Sequence, residues 1–227
     1  MKIRSVPAED LLLVQLAELI NDTYQDYPLD VWFNAQKIVQ MCEYEDVDLK
    51  RSIVVQVDET PVGLAFLSIR RDVGWVSGVG VRPAWRRRGI ARYIMTEMQA
   101  QARRADLARL KLEVLAQNTS ARSLYRERGF AAARDLLILL FEPGFHPPHP
   151  LPEGILPGHP QALLDYFHAF HAVQPAWQRD YASLRHRVDA AVRGRRHNLT
   201  GLGYWEDETL HGYLLVQQRG YTFDVLD

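Results

Sequence analysis

The residues best suited to chemistry lie in one turn, Arg86-Arg87-Arg88-Gly89-Ile90-Ala91, between a strand-like segment and a segment of helical spacing. A helix N-terminus presents backbone N–H groups without intrahelical partners and about half a positive charge from its macrodipole, so it attracts phosphate oxygens. Gly89 lets a ligand approach the backbone because it lacks a Cβ and tolerates positive φ. The arginines add charge-assisted donors. Taken by itself, such a turn serves either an anion such as a pyrophosphate or simply a solvated helix start.

The elements that must position this turn read as mixed α/β. Periodicity predicts a strand at residues 2–6, an amphipathic helix at 11–24 and a second helix at 31–44. Residues 52–57 and 62–69 are rich in β-branched and apolar types and flank Asp58-Glu59-Thr60-Pro61, whose turn chemistry makes the pair a hairpin. A strand at 75–81 stops at Pro83, and Ile90, Tyr93, Ile94, Met98 and Ala102 then recur with helical spacing as far as Arg104. A strand at 108–115, a helix at 120–128 ended by Gly129 and a closing strand at 134–141 complete the order.

Two blocks carry a family resemblance. Val79-Gly80-Val81-Arg82-Pro83-Ala84-Trp85-Arg86-Arg87-Arg88-Gly89-Ile90-Ala91 resembles the acetyl-coenzyme A signature of the GNAT superfamily of N-acetyltransferases, Arg/Gln-x-x-Gly-x-Gly/Ala after a strand and a proline-bearing corner. Leu112-Glu113-Val114-Leu115, then Asn118-Thr119-Ser120-Ala121-Arg122-Ser123-Leu124-Tyr125 and Gly129-Phe130, resembles the same family's next strand, its Asn-x-x-Ala-x-x-Leu-Tyr helix and its Gly-Phe ending. With the preceding strands the resemblance covers about residues 1–143. It implies a splayed mixed sheet flanked by helices, acetyl-coenzyme A as cosubstrate without a metal, and an amine as acceptor.

By that resemblance, the backbone of Val79, Gly80 and Val81 holds the pantetheine arm. Arg86, Arg87, Arg88, Gly89, Ile90, Ala91 and Arg92 surround the pyrophosphate, and Asn118 touches the cofactor near its thioester. Tyr125 falls where the family keeps its general acid. The strand position where the family often carries a carboxylate holds Ser77 and Gly78 here, so Glu113, or a water it orders, becomes the candidate base. Its spacing to Tyr125 resembles that of the ribosomal-protein N-terminal acetyltransferases. Ala91 replaces the final glycine of the turn, a common alternative. The expected enzyme is an acetyl-coenzyme A-dependent N-acetyltransferase; the alternative is a non-catalytic acyl-coenzyme A sensor or interaction module. Small amines, amino acids, antibiotics and protein N-termini are all compatible acceptors.

Beyond residue 143 the composition shifts to Pro, His and Gly, which reads as a stiff linker at 144–154 between a domain at 1–143 and a smaller one at 155–227. The smaller part holds helical stretches at 161–173 and 181–192 and an echo of the hairpin: Asp58-Glu59-Thr60-Pro61-Val62-Gly63 recurs as Asp207-Glu208-Thr209-Leu210-His211-Gly212, and Gly74-Trp75-Val76 as Gly220-Tyr221-Thr222. The order of elements matches residues 11–81, which predicts a partial repeat of two helices and a short antiparallel sheet. The copy stops where the first goes on to its cofactor turn, so one cofactor per chain is expected. The half-repeat is expected to pack on the first domain, shape the acceptor groove or make a homodimer contact.

All eight histidines follow residue 145, and His168 and His171 stand three apart on a predicted helix, yet no metal-ligand spacing appears. Cys42 is the sole cysteine and reads as a partly buried structural thiol. A net charge of −1 gives no reason to expect nucleic acid. With 47% hydrophobic residues, no membrane-length apolar run and no signal-peptide pattern, the expected setting is the cytoplasm.

Overall fold

The structure, a computed structural model, describes residues 2–29, 31–138, 150–194, 198–219 and 222–227. The chain divides into two compact units, Met1–Ala133 and Arg134–Asp227. The first is built from β1 (Ile3–Pro7), α1 (Leu13–Tyr24), α2 (Ala35–Glu45), β2 (Ile53–Val57), β3 (Thr60–Arg70), β4 (Val73–Val81), α3 (Ile90–Arg104), β5 (Arg109–Leu112) and α4 (Thr119–Glu127). Its sheet runs in the order β1-β2-β3-β4-β5. Every pairing is antiparallel except β4 with β5.

The two faces of this sheet carry separate cores because strand side chains alternate. On one face Leu16, Leu19 and Ile20 of α1 and Ile38 of α2 pack on Val54, Leu64 and Phe66. On the other, Ile90, Ile94 and Met98, spaced by four on α3, pack on Val55, Leu67, Val76 and Val81. The second helix begins at Ala35 rather than residue 31, because Asn34 caps it by accepting a 2.9 Å bond from the Lys37 N–H. The closing strand expected at 134–141 is not formed over residues 134–138, which are irregular; residues 139–141 lie outside the described residues.

The second unit comprises β6 (Ile155–Gly158), α5 (Pro160–Leu164), α6 (Phe167–Phe170), α7 (Tyr181–Val192), β7 (Leu199–Glu206), β8 (Thr209–Arg219) and β9 (Thr222–Val225). Its sheet order β6-β7-β8-β9 is antiparallel throughout and reproduces β1 to β4. The predicted helix at 161–173 is broken into two short pieces, and His171 caps the second instead of sharing its face with His168. The half-repeat also has an unforeseen first strand, in which Pro157 pairs with Leu202 as Pro7 pairs with Ile53.

Hairpin geometry repeats in detail. Asp58 and Glu59 have φ of 47° and 68°, and Asp207 and Glu208 have 46° and 62°. Each pair is thus a two-residue turn with both residues left-handed, the form whose twist suits a hairpin. Each copy then bulges at the same place: Val62 falls between Pro61 and Gly63, which pair with Gln56 and Val55, and His211 between Leu210 and Gly212, which pair with Trp205 and Tyr204. The register also realigns the weaker echo, since Thr222 pairs with Arg219 as Val73 pairs with Arg70. Thr222 is the counterpart of Val73, not of Val76; Gly220 and Tyr221 lie outside the described residues.

The copies differ in what lies over the sheet. Val225 corresponds to Val76 and Leu215 to Phe66, so the second core of Leu163, Leu164, Phe167, Leu184 and Leu215 corresponds to the α1/α2 face. On the face that α3 covers in the first unit, Phe223 and Val225 are exposed. The paired glycines record this difference. A Cβ on Gly63 would stand 2.8 Å from the Gly80 carbonyl oxygen and 3.1 Å from Ile94 Cδ1, whereas one on Gly212 would meet nothing within 4 Å. Gly63→Ala is therefore expected to cost about 1–3 kcal/mol of stability, and Gly212→Ala to stay within about 0.5 kcal/mol. Urea unfolding of the two full-length variants checks this; equal losses would overturn the assignment of Gly63 to the crowded layer.

Candidate active site

The site originates where β4 leaves β5. The parallel ladder joins Val73 through Val76 to Arg109 through Leu112 and goes no further. On its other side β4 is bulged, because Phe66 pairs with Ser77 but Leu64 with Gly80, so two residues, Gly78 and Val79, face Ala65 alone. Gly78 has φ +61°, and a Cβ there would stand 2.7 Å from Phe66 Cδ2. Glycine is needed both for the turn of the backbone and for the space. A bulge of this kind bends its strand, here away from β5. Two carbonyls of the bent stretch are engaged by side chains: Val79 O accepts from the Tyr24 hydroxyl at 3.2 Å and Val81 O from Arg86 Nε at 3.1 Å.

Beyond β4 a single 3₁₀ turn, Pro83–Trp85, leads into the arginine turn. Arg87 and Gly89 are both left-handed, at φ 63° and 80°, and Gly89 caps α3 without any side-chain hydrogen bond to the helix. The first N–H groups of α3, from Gly89 to Arg92, therefore lack intrahelical acceptors, and the space beside Gly89 is open to 4 Å. Buried Ile90 fixes the helix start in the core, while Arg87 and Arg88 are exposed, Arg88 lying 5.0 Å over the Trp85 ring. This open, uncapped, left-handed cradle at the positive end of a helix dipole fits a pyrophosphate. Arg92 reaches Glu127 of α4 at 2.7 Å.

Arg86 departs from the rest. Its guanidinium turns back onto α1, meeting Asp26 through Nη1 at 2.5 Å and Nη2 at 2.7 Å, and Thr23 O at 3.0 Å. The hydrogen bond from Arg86 holds the Asp26 carboxyl below its ordinary range. Arg82 is occupied in the same way, by Asp22 and the Pro61 carbonyl, both at 2.8 Å. Gly80 gives α1 room, since a Cβ there would overlap Thr23.

The expected proton-transfer groups occupy different surroundings. Tyr125 is buried on α4 with Phe130 edge-on at 6.1 Å. Burial, and then the Tyr27 phenol, push its own phenol up to about 12. Glu113 is the first residue after β5 and is exposed. Strand alternation sets it opposite Leu110 and Leu112, which pack toward α3, and hence on the face of Ser77, whose buried hydroxyl has no partner among the described residues. Asn118 caps α4, its side-chain oxygen accepting from the Ala121 N–H at 3.1 Å.

Tyr24 and Tyr27 were not foreseen. Their rings meet edge-on at 5.0 Å and both phenols are raised by burial, that of Tyr24 further by Tyr125 and Tyr27. The Tyr24 hydroxyl thus stands at Val79 with the Tyr27 ring against it. One sequence signal pointed there: Asp22 and Asp26 sit at the C-terminal end of α1, where the helix dipole disfavours negative charge, so each demands a cation from elsewhere. Cys42 is partly buried and its thiol is pushed up by burial, in keeping with a structural role.

In the second unit His171 stacks on Phe167 at 4.0 Å and hydrogen-bonds to the Phe167 carbonyl at 2.9 Å through Nδ1. Its Nε2 lies 2.8 Å from Asp227, which also accepts from the Tyr213 hydroxyl. Among the described residues no group of three His, Cys, Asp or Glu could hold a metal, and no helix is long and apolar enough to cross a membrane. His146, His149 and His197 lie outside the described residues.

No curated protein matches this sequence significantly. Among solved structures, the chain is similar to a tandem GNAT protein from the clavulanic acid biosynthesis pathway, with 19% identity over 97% of this chain and 76% of that one and a TM-score of 0.63. It is also similar to the ribosomal-protein-S18-alanine N-acetyltransferase of Escherichia coli, with 20% identity over 59% of this chain and 79% of that one and a TM-score of 0.48. An N-acetyltransferase of Thermoplasma acidophilum solved with coenzyme A gives 17%, 59%, 92% and 0.48 in the same order. The family model for the acetyltransferase (GNAT) family matches residues 13–130, slightly more than half of the chain. With the parted strands, the uncapped cradle and the half-repeat, this makes the chain a tandem member of the acetyltransferase (GNAT) family, the superfamily of acetyl-coenzyme A-dependent N-acetyltransferases.

Proposed function

We propose that the chain moves an acetyl group from acetyl-coenzyme A to a primary amine by direct attack on the thioester, with Tyr125 as general acid and Glu113, or a water it orders, as base. The observation that carries this reading is the uncapped α3 cradle that follows the bulged C-terminal end of β4, together with a buried, protonated phenol on α4. The cosubstrate supplies an activated acyl carbon and a thiol leaving group. The N–H groups from Gly89 to Arg92 hold the pyrophosphate, helped by the exposed charge of Arg87 and Arg88, and the backbone of Val79, Gly80 and Val81 aligns the pantetheine arm. Asn118 stands near the thioester.

Attack forms the N–C bond and breaks the C–S bond. The amine proton leaves through water to Glu113, whose exposure suits a relay better than direct contact. The departing sulfur takes the proton of Tyr125. The Val79 N–H faces the oxygen of the reacting carbonyl, where negative charge develops. Since the Tyr125 phenol is raised to about 12, it stays protonated across the working range, and it adds no alkaline fall in rate below that pH.

A second reading, an acyl-coenzyme A sensor or interaction module, draws on the exposure of Glu113, which leaves the base outside a closed site. Calorimetry with coenzyme A followed by a thiol-release assay over an amine panel separates the two. Amine-dependent release supports the enzyme; binding with no such release from any amine supports the sensor. Tyr125→Phe is expected to lower kcat by ~10²-fold with coenzyme A affinity unchanged, and an unaltered rate would remove Tyr125 from the mechanism. Gly89→Val, strained at φ +80° and filling the open cradle, is expected to weaken coenzyme A binding by about tenfold or more, as the loss of bonds to a charged group implies. Unchanged affinity in calorimetry would move the pyrophosphate elsewhere.

A further inference from the structure

Arg86 opens the turn read as the pyrophosphate cradle, yet its side chain serves another element. Guanidinium has five N–H donors. Two go to Asp26 in the paired geometry of an arginine–carboxylate fork, a third goes to Thr23 O, and Nε goes to Val81 O. Too little remains for a bidentate grip on phosphate. The Arg82–Asp22 pair holds the same end of α1 one turn earlier, and Thr23 rests on Gly80 between the two.

These contacts fix the place of two aromatic residues. Tyr24 follows Thr23 directly and donates to Val79 O, and the Tyr27 N–H bonds back to Tyr24 O at 2.9 Å, so that the rings meet edge-on. After burial, Tyr125 raises the Tyr24 phenol, and Tyr27 raises that of Tyr125. The end of α1 that carries them is thus fastened to the first residue of the turn, and the next residue, Arg87, is left-handed. A shift of the turn on taking up a ligand would pass through one guanidinium to the Tyr24–Tyr27 end of α1.

We infer that Arg86 is a positioning residue rather than a phosphate ligand: through Asp26 and Thr23 it ties the cofactor turn to the Tyr24–Tyr27 end of α1, so that filling the turn orders the acceptor side. This rests on the reading of residues 87–92 as the coenzyme A cradle. Bidentate arginine–carboxylate pairs resist small rearrangements because two parallel bonds must break together. The brace also spans more than fifty residues of sequence, which local helix stability could not replace.

The test uses the full chain and coenzyme A as the probe, reading affinity by calorimetry and backbone amide hydrogen exchange at residues 23–27. In the natural protein, coenzyme A is expected to slow exchange at these amides. Asp26→Asn is expected to keep affinity within about twofold while losing most of this slowing, and Asp26→Glu to restore it. Arg86→Gln should follow Asp26→Asn in both readouts, and the double variant should be no worse than either single one, as residues acting through one interaction are non-additive. Thermal melting of each variant separates a loosened helix end from a failure to fold. If Arg86→Gln alone weakens binding by about tenfold or more, Arg86 is a phosphate ligand and the inference falls. It also falls if coenzyme A leaves exchange at residues 23–27 unchanged in the natural protein. Failure of the natural protein to bind coenzyme A at all would instead overturn the cofactor reading and this inference with it.

Discussion

Two parallel strands that part inside a folded unit expose backbone donors and acceptors with no sheet partner, and a buried group of that kind is costly unless something pairs with it. Here the parting follows Val76 and Leu112, and the bulge at Gly78 and Val79 turns the freed edge outward. Much of the first unit responds to that constraint. Tyr24 and Arg86 take up the carbonyls of Val79 and Val81, Gly63 and Gly80 thin the sheet so that helices can approach, and α3 starts without a side-chain cap on its N–H groups. On the reading proposed above, the pantetheine arm brings its amides to the edge of β4 that β5 leaves.

The chain's local patterns were readable. Helical spacing from Ile90 to Ala102, the Asp-Glu turns and the strand-to-turn-to-helix passage at Arg86 depend on neighbours in sequence, and their periodicity reports the buried face directly. Less legible was anything decided across the fold. Nothing near Arg86 reveals that its partner stands sixty residues earlier, so a residue grouped with the phosphate contacts proves to be turned toward α1. Tyr24 and Tyr27 read only as the tail of an amphipathic helix until the bulge of β4 comes beneath them. The strand at Ile155–Gly158 was hidden by its proline and glycine, which are tolerated because it is an edge strand. Residues 134–138 illustrate the reverse error: an apolar, strand-like composition without pairing.

The half-repeat separates what the hairpin needs from what the cofactor site needs. Left-handed Asp-Glu pairs and the following bulge persist in both copies because they set the twist and register of the strands on which either core is laid. The sites corresponding to Gly78 and Ser77 are taken by Asp227 and Leu226, and Leu226 is buried in the second core. Asp227 receives Tyr213 and His171 in place of an open slot. A shared backbone plan has thus been filled in with side chains that close the position where β4 of the first unit bulges.

The Arg86–Asp26 fork also bears on heredity. Acceptor preference in such a fold would be expected to change by drift in the first helix, yet position 26 cannot lose its carboxylate without stranding the guanidinium that opens the arginine turn, and the same holds for positions 22 and 82. The helix and the turn are bound to change as one block. A graft of a foreign first helix, or a library that randomises α1 alone, would start from a mismatched seam, and would need residues 82 and 86 carried along with it.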